Sequence, residues 1–516
     1  MQPEGLHSTP PSKLFWLVLL VLFWAGFGLT GRDAWKAEEA LAFAQVWHWL
    51  QFGRLPLESP LYVLTSGVLA RVFETGLDWQ DGARLASGLF TLLTVLLTAL
   101  TARRLFGPGH GAAATLLLVG AFGFMLRAHA LLPETALMAA YALLLLGLVE
   151  TRGGNTRGSW LLGLGLAGAV LARGLGDGLL GLVMALVVLV LPGHVERAFR
   201  RALPRGLLLA AGLLAAWMFI LSGAGQLQAW WSLQSTGLVP LPRTGYLLSM
   251  LVWYAWPAWP LAAWAIWHEH RKLGRGHPLH LPLLATALLF LAAHLPSLSR
   301  DGAALPLLLP LTLLAAHGVA TLKRGAAQAF YWFGVTCFLF FLIAFWVYFT
   351  ALEWGWPPGL ARHMARLVPD YAASAGRAEI GLAVAASVLW LLAVPFFPRA
   401  QLRPALVWAT GMALTWTLVI ALFRPWIEAG WGYRPLVRGL AGHLPAGECV
   451  SLEVDPAAQV IFSYHLGERV GGTGSDCPWL FVQGTAEYGP RDGYRSVWQA
   501  VRPRQKDQAF QLLRRE

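Results

Sequence analysis

Four groups of charged residues in an otherwise apolar chain have the chemistry to move an anionic group. The first is Lys36 with Glu38 and Glu39, in a segment that opens Gly31-Arg32-Asp33-Ala34-Trp35 and runs to Leu61. Asp33 and Glu58 lie in the same segment, and Trp35, Trp47 and Trp49 are suited to pin it to a membrane face. The second group is Arg127, His129 and Glu134, the third is Arg173-Gly174 followed by Asp177, and the fourth is Arg300-Asp301. A carboxylate within reach of a hydroxyl can take its proton as a general base. Guanidinium groups hold phosphate through bidentate, charge-assisted bonds. Together these types suit transfer of a group from an anionic lipid carrier. A donor already activated by phosphate needs no nucleotide site, and no convincing Walker or dinucleotide-type glycine motif is present.

Each group also has a plainer reading. Residues 31–61 would serve as a solvated amphipathic helix lying on a membrane. Arg173 and Arg300 fit side chains that snorkel to the interface. Glu134, after Pro133, fits a first-turn carboxylate favoured by the helix dipole. His129 reads as a packed interfacial histidine rather than a catalyst. His268, His270 and His277 sit in a loop full of cations, and the nearest two are only two residues apart, so no metal site is expected there. No acidic cluster requires an ion, and no cofactor is expected. The 26 tryptophans read mainly as interface anchors, with Trp230, Trp231, Trp354 and Trp356 as candidates for stacking on sugars.

The elements that must position these groups are apolar. Of 516 residues, 57% are hydrophobic and 13% charged. Thirteen spans are predicted, at roughly 14–30, 82–102, 111–128, 134–149, 159–173, 176–192, 206–222, 245–267, 279–295, 303–321, 328–350, 379–397 and 405–422. The first is read as retained, since it lacks a basic leader and a small-residue cleavage site. With the N-terminus in the cytoplasm, every second connection is basic, from Arg103-Arg104 to Arg399 and Arg403. The net charge of +12 therefore speaks of topology, not of nucleic acid. Short glycine-rich spans such as 159–173 and 176–192 suit close helix packing or broken geometry around a cavity. Residues 31–81 form an outer loop with juxtamembrane helices, because 60–74 is too short to cross. The opposite face also receives 129–133, 174–175, 296–302 and everything after 423. The outer ends that carry the four charged groups can thus converge on one cavity.

From about Gly430 the composition changes. Residues 1–423 are read as the membrane domain and 424–516 as a small α/β domain outside it. Glu448–Val454 and Gln459–Tyr464 are predicted as short strands. Cys449 and Cys477 are either a disulfide, in an oxidising compartment, or two buried thiols.

The order of these features resembles a known family. It runs from a first span through Trp35-x-x-Glu38-Glu39, Pro60-Leu61-Tyr62, an outer acidic Glu134 before the fourth span, Arg173-Gly174 and a Ser297-x-x-Arg300 element to a soluble C-terminal domain. This is similar to the bacterial polyprenyl-phosphate-dependent glycosyltransferases of the protein O-mannosyltransferase and lipid A aminoarabinose transferase type. The resemblance covers essentially the whole chain and is strongest over 31–190. It implies a class C glycosyltransferase fold in the bacterial inner membrane, with the C-terminal domain periplasmic. It implies inverting transfer of a sugar from a polyprenyl phosphate to lipid A, another glycan or a protein hydroxyl. Glu38, Glu39 and Glu134 would then be the catalytic carboxylates, and Arg173, Arg300, Lys36 and Arg127 the phosphate-binding cations. The chain departs from the pattern in several places. Glu38-Glu39 stands where the family usually has Asp-Glu, Glu58-Ser59 where it has Lys-Pro, and Arg173 where it has Lys. Ala303-Ala304 replaces an aromatic after Arg300. Two other classes stay open: a divergent relative that binds polyprenyl phosphate or a partner without transfer, and a lipid or solute transporter. Against the transporter, the chain has no inverted repeat and no paired broken segments in matching halves.

Overall fold

The computed structural model describes residues 10–152, 155–189, 197–234, 244–274, 276–293, 304–369, 371–372, 375–472, 476–484 and 491–516. The chain enters through α1 (Pro11–Gly26) and lays down two short helices, α2 (Ala37–Phe52) and α3 (Pro60–Val72). A bundle follows: α4 (Trp79–Phe106), α5 (His110–Val119), α6 (Phe122–Ala128), α7 (Glu134–Arg152), α8 (Arg157–Arg173), α9 (Leu175–Val188) and α10 (Arg197–Gly223). It continues with α11 (Leu227–Leu233), α12 (Thr244–Tyr254), α13 (Ala258–Glu269), α14 (His280–Ala292) and α15 (Leu308–Ala320). Then come α16 (Arg324–Trp354), α17 (Pro358–Leu367), α18 (Arg377–Phe396) and α19 (Arg403–Trp431). Six helices among the described residues are long and apolar enough to cross a membrane alone, or seven if a bent pair counts as one.

The bent pair is α5 and α6, predicted as one span over 111–128 and found broken by 70°. The break frees the Gly120 carbonyl from the helical ladder, and the Trp408 indole donates to it at 2.8 Å. A freed carbonyl at membrane depth must find a partner inside the protein. The break turns α6, with Arg127 in its last turn, away from the line of α5. The span predicted over 245–267 is likewise two helices, α12 and α13. Pro257 lies between them and has no N–H to continue the ladder.

Glycine fixes how α7 and α8 pair. A Cβ on Gly147 would lie 2.5 Å from the Leu162 nitrogen, and one on Gly165 2.7 Å from the Leu144 nitrogen. Such backbone-to-backbone approach is how helices associate where lipid removes the hydrophobic drive. The antiparallel pair thereby sets Glu134 and Arg173 at the same end of the bundle.

The last long helix, predicted to stop near 422, continues to Trp431 and carries Glu428 out of the bundle. Beyond it, α20 (Arg434–His443) and α21 (Pro456–Leu466) pack with a sheet of β1 (Val450–Glu453), β2 (Trp479–Gly484), β3 (Tyr494–Arg502) and β4 (Gln505–Arg515). The strand order is β1-β2-β4-β3, with β1 and β2 parallel and the other pairs antiparallel. The strand predicted at Gln459–Tyr464 lies inside α21. Pro456 occupies the first turn and the Asp455 side chain accepts from the Ala458 N–H at 2.8 Å. This start signal outweighs the strand preference of Val460, Ile461 and Phe462.

Cys449 and Cys477 are bonded, tying the head of β1 to the segment before β2. Closing a loop of 28 residues is worth about 3.6 kcal/mol by loop entropy. Cys477→Ser is therefore expected to lower the denaturant concentration at which protease cuts the C-terminal region, and reductant should do the same to the parent protein. Unchanged cleavage in both cases would show that the bond adds nothing.

Candidate functional site

The segment before α2 is laid over the end of the bundle by buried charge. Arg32 reaches Glu39 with two nitrogens, at 2.9 and 3.3 Å, and donates to the His129 carbonyl at 2.6 Å. The Leu131 N–H donates to the same Glu39 carboxylate at 3.1 Å, and Arg84 Nε lies 3.8 Å from it. Arg84 in turn donates to Asp81 at 2.7 Å and to the carbonyls of Leu29 and Arg32. Arg32, Glu39 and Arg84 are all buried. Burial opposes ionisation of Glu39, but Arg32 and Arg84 outweigh it and hold the carboxyl below its ordinary range. Both Glu39 oxygens are thus committed to holding the segment in place.

Asp33 is committed as well. It is wholly buried, and one oxygen accepts from the N–H groups of Tyr433 and Arg434 at 2.5 and 2.6 Å, at the start of α20. Its own N–H donates to Glu428 at 3.0 Å. Arg434 also reaches Asp78, the residue that caps α4, at 3.2 Å. Phe43 on α2 meets Tyr464 on α21 edge to face at 4.9 Å. The segment that carries Glu38 is therefore clamped between the bundle and the C-terminal sheet region.

Glu38 is the carboxylate of this segment that is both half-exposed and charge-paired. Its Oε2 lies 2.6 Å from Nη1 of the buried Arg127, whose Nε donates to the Tyr254 hydroxyl at 3.0 Å. Its Oε1 has no hydrogen-bond partner among the described residues. Glu58 is exposed and, among the described residues, accepts only from Gln45, at 2.9 Å. Ser59, beside it, holds a left-handed backbone at φ 51°, a conformation a proline could not adopt.

The other predicted residues fall around this centre. Lys36 is exposed at the head of α2 and caps nothing with its side chain. His129 is buried, stacked on Trp416 at 4.2 Å, with its ring nitrogens on the carbonyls of Trp24 and Met125. Burial, aided by Arg32, outweighs those carbonyls and pushes it down to about 4. Glu134 heads α7, and its Oε2 is buried with no hydrogen-bond partner among the described residues. Such an atom calls for an explanation. Arg173 ends α8 within electrostatic reach of Asp177, which accepts from Tyr141 at 3.1 Å. The loop through Leu55 and Leu57 covers this end by packing with Val170 and Trp230. Gly174 turns the chain at φ 126°, and the Leu175 N–H donates to Gln234. Arg300, Ser297, Asp301 and Ala303 lie outside the described residues, while Ala304 is buried. Of the tryptophans proposed for sugar stacking, Trp230 is buried, and Trp231, Trp354 and Trp356 are exposed.

The structure thus brings Glu38, Glu39 and Arg127 together and holds Glu134 and Arg173 at the same end. Arg32, Arg84, Asp81 and Tyr254 were not singled out from sequence. Asp81 and Arg84 carried a legible signal, since an (i, i+3) charge pair at the head of an apolar span must pair or find a partner. On the far side of the bundle, Glu269 gathers His317, Lys272, His268 and His277 within 3.4 to 3.9 Å. No group there or elsewhere among the described residues is arranged to hold a metal ion.

Among solved structures, the chain matches ArnT from Cupriavidus metallidurans bound to undecaprenyl phosphate. The TM-score is 0.67 over 98% of both chains, at 15% identity. The chain has the ArnT fold. The apo structure of ArnT gives 0.66 over 97% of this chain and 98% of its own, at 16% identity. The archaeal oligosaccharyltransferase AglB from Archaeoglobus fulgidus matches loosely, at 0.44 over 87% of this chain and 63% of its own, with 10% identity. No protein-family model and no curated protein matches the sequence. The ArnT fold is the class C glycosyltransferase architecture that the sequence resemblance implies, in a helical membrane protein with a small C-terminal sheet.

Proposed function

We propose that the protein is an inverting glycosyltransferase that moves a sugar from a polyprenyl phosphate to an acceptor at the outer face of the bacterial inner membrane. The acceptor class is lipid A, another glycan or a protein hydroxyl. The observation that carries this reading is the end-to-end likeness to an ArnT structure holding undecaprenyl phosphate. It is joined by a half-exposed carboxylate with one free oxygen among buried cations at one end of the bundle. In this reading, the thirteen predicted spans cross with the N-terminus in the cytoplasm and 424–516 in the periplasm. The basic connections and the C-terminal sheet region then lie on opposite sides.

In the reaction, Glu38 Oε1 takes the proton as the acceptor oxygen bonds to the sugar's anomeric carbon. The bond from that carbon to phosphate oxygen breaks, and its electron pair leaves with the phosphate. Attack opposite the leaving group gives inversion. Arg127 orients Glu38, and Glu39 holds the segment. The orphaned Glu134 oxygen accepts from a substrate hydroxyl. Arg173, with Arg300 and Lys36, holds the phosphate. No step requires a cofactor.

The test is sugar transfer by purified protein in lipid discs, supplied with polyprenyl-phosphate sugars and envelope acceptors and read by mass spectrometry. Flux of substrate without transfer would favour a transporter. Arg173→Ala should weaken polyprenyl-phosphate binding by about 1.5–3 kcal/mol, the worth of a charge-assisted contact. Arg173→Lys should keep part of it. Unchanged affinity in a folded Arg173→Ala sample would remove Arg173 from the site.

A further inference from the structure

A second concavity opens where α13 meets the start of α16. Trp256, Pro257, Trp264, Leu322, Ala326 and Phe330 are among the residues lining a cavity of about 210 Å³. Its lining runs from the break before α13 to the first turns of α16, beside the basic residues Lys323 and Arg324. Apolar cavities of this size stay dry and take apolar guests. This one is smaller than the pockets that hold drug-sized ligands, and its dimensions suit a stretch of a single hydrocarbon chain.

Two features make the site more than an apolar groove. Lys323 and Arg324 lie between the lining residues Leu322 and Ala326. Both are exposed, and neither has an ion-pair or hydrogen-bond partner among the described residues. The Trp264 indole nitrogen is buried with no hydrogen-bond partner among the described residues. The mouth therefore offers two exposed cations, and the lining includes a residue with an unused donor. No side chain caps α16 at this point, so its first-turn N–H groups add to the positive end.

We infer that this is a binding site for an anionic glycerophospholipid of the surrounding bilayer. One acyl chain fills the cavity, the Trp264 N–H donates to an ester carbonyl, and Lys323 and Arg324 hold the phosphate. A neutral lipid would fill the groove without using the cations. Basic pockets of this kind between helices, at a membrane face rich in anionic lipid, recognise headgroups by charge.

The experiment is native mass spectrometry of the full chain released from detergent, titrated with phosphatidylglycerol or phosphatidylcholine. The parent protein should retain one phosphatidylglycerol and discriminate against phosphatidylcholine. The double variant Lys323→Ala/Arg324→Ala should bind phosphatidylglycerol about thirtyfold more weakly, two cations acting together. Ala326→Trp, which fills the cavity, should abolish retention. Arg362→Ala/Arg366→Ala, which removes two cations past the other end of α16, should bind as the parent does. Equal binding of both lipids by the parent would overturn the inference. So would parent-like retention in both the double variant and Ala326→Trp.

Discussion

Glu39→Gln is expected to lower stability by about 3–5 kcal/mol, the cost of stripping the partner from buried charge. Arg84 would keep Asp81 at 2.7 Å, but Arg32 would lose both contacts to a carboxylate while remaining buried. The Leu131 N–H would lose a charged acceptor as well. The contrast is Glu58→Gln, in an exposed pair with Gln45, where a surface change is worth within about 0.5 kcal/mol. The pH dependence has a definite sign. The carboxyl of Glu39 sits below its ordinary value in the folded protein. Its contribution is therefore present above the unfolded value, near 4.5, and is lost as pH falls towards the folded value. Denaturation midpoints of the parent and both variants in detergent, taken from pH 7 down to 4, check this. Glu39→Gln should melt well below the parent at pH 7, and the gap should narrow in acid. Equal midpoints at pH 7 would show that the buried cluster holds nothing.

Much of the frame was legible because lipid leaves a strong signal. Among the described residues each predicted span overlaps a helix or a broken pair, though only six helices, or seven with the bent pair, are long and apolar enough to cross alone; the short helix over 60–74 is present as Pro60–Val72. The breaks were not legible, because they depend on distant partners. Gly120 can leave the helix only because Trp408 waits for its carbonyl. The strand expected at Gln459–Tyr464 fails for the opposite reason: the start signal at Asp455-Pro456 is local, and it sets a helix that overrides the strand preference of Val460, Ile461 and Phe462. At the site, residue types drew attention to the right loop but could not sort its carboxylates. Asp33, Glu38, Glu39 and Glu58 look alike in sequence. Folding assigns one to the C-terminal region, one to a pair of buried arginines and one to solvent. Glu38 is left on Arg127 with an oxygen to spare. The contact from Asp33 to Tyr433 spans 400 residues, a separation no local pattern reports.

The second large effect concerns Glu38 itself. Loss of a general base typically costs about a hundredfold to ten-thousandfold in rate, so Glu38→Gln should reduce transfer to that degree. The amide is nearly isosteric and Glu38 is half-exposed, so the fold and polyprenyl-phosphate binding should survive. Glu38→Asp draws the carboxylate back by roughly one bond length, about 1.5 Å. Misplacement of that order can cost on the order of a hundredfold. It should therefore impair a pocket shaped to Glu and leave Arg127 without its 2.6 Å partner. Asp33→Asn, by contrast, should lower stability along with rate, because it loosens the joint to α20. The decisive measurement is single-turnover transfer of sugar from a polyprenyl-phosphate donor by the parent, Glu38→Gln and Glu38→Asp, with lipid binding recorded in parallel. The account predicts transfer by the parent, a loss of at least about a hundredfold in Glu38→Gln at unchanged lipid affinity, and an intermediate rate in Glu38→Asp. Parent-level transfer by Glu38→Gln would contradict the assignment of the base, and lipid binding without transfer by any form would contradict the enzyme itself.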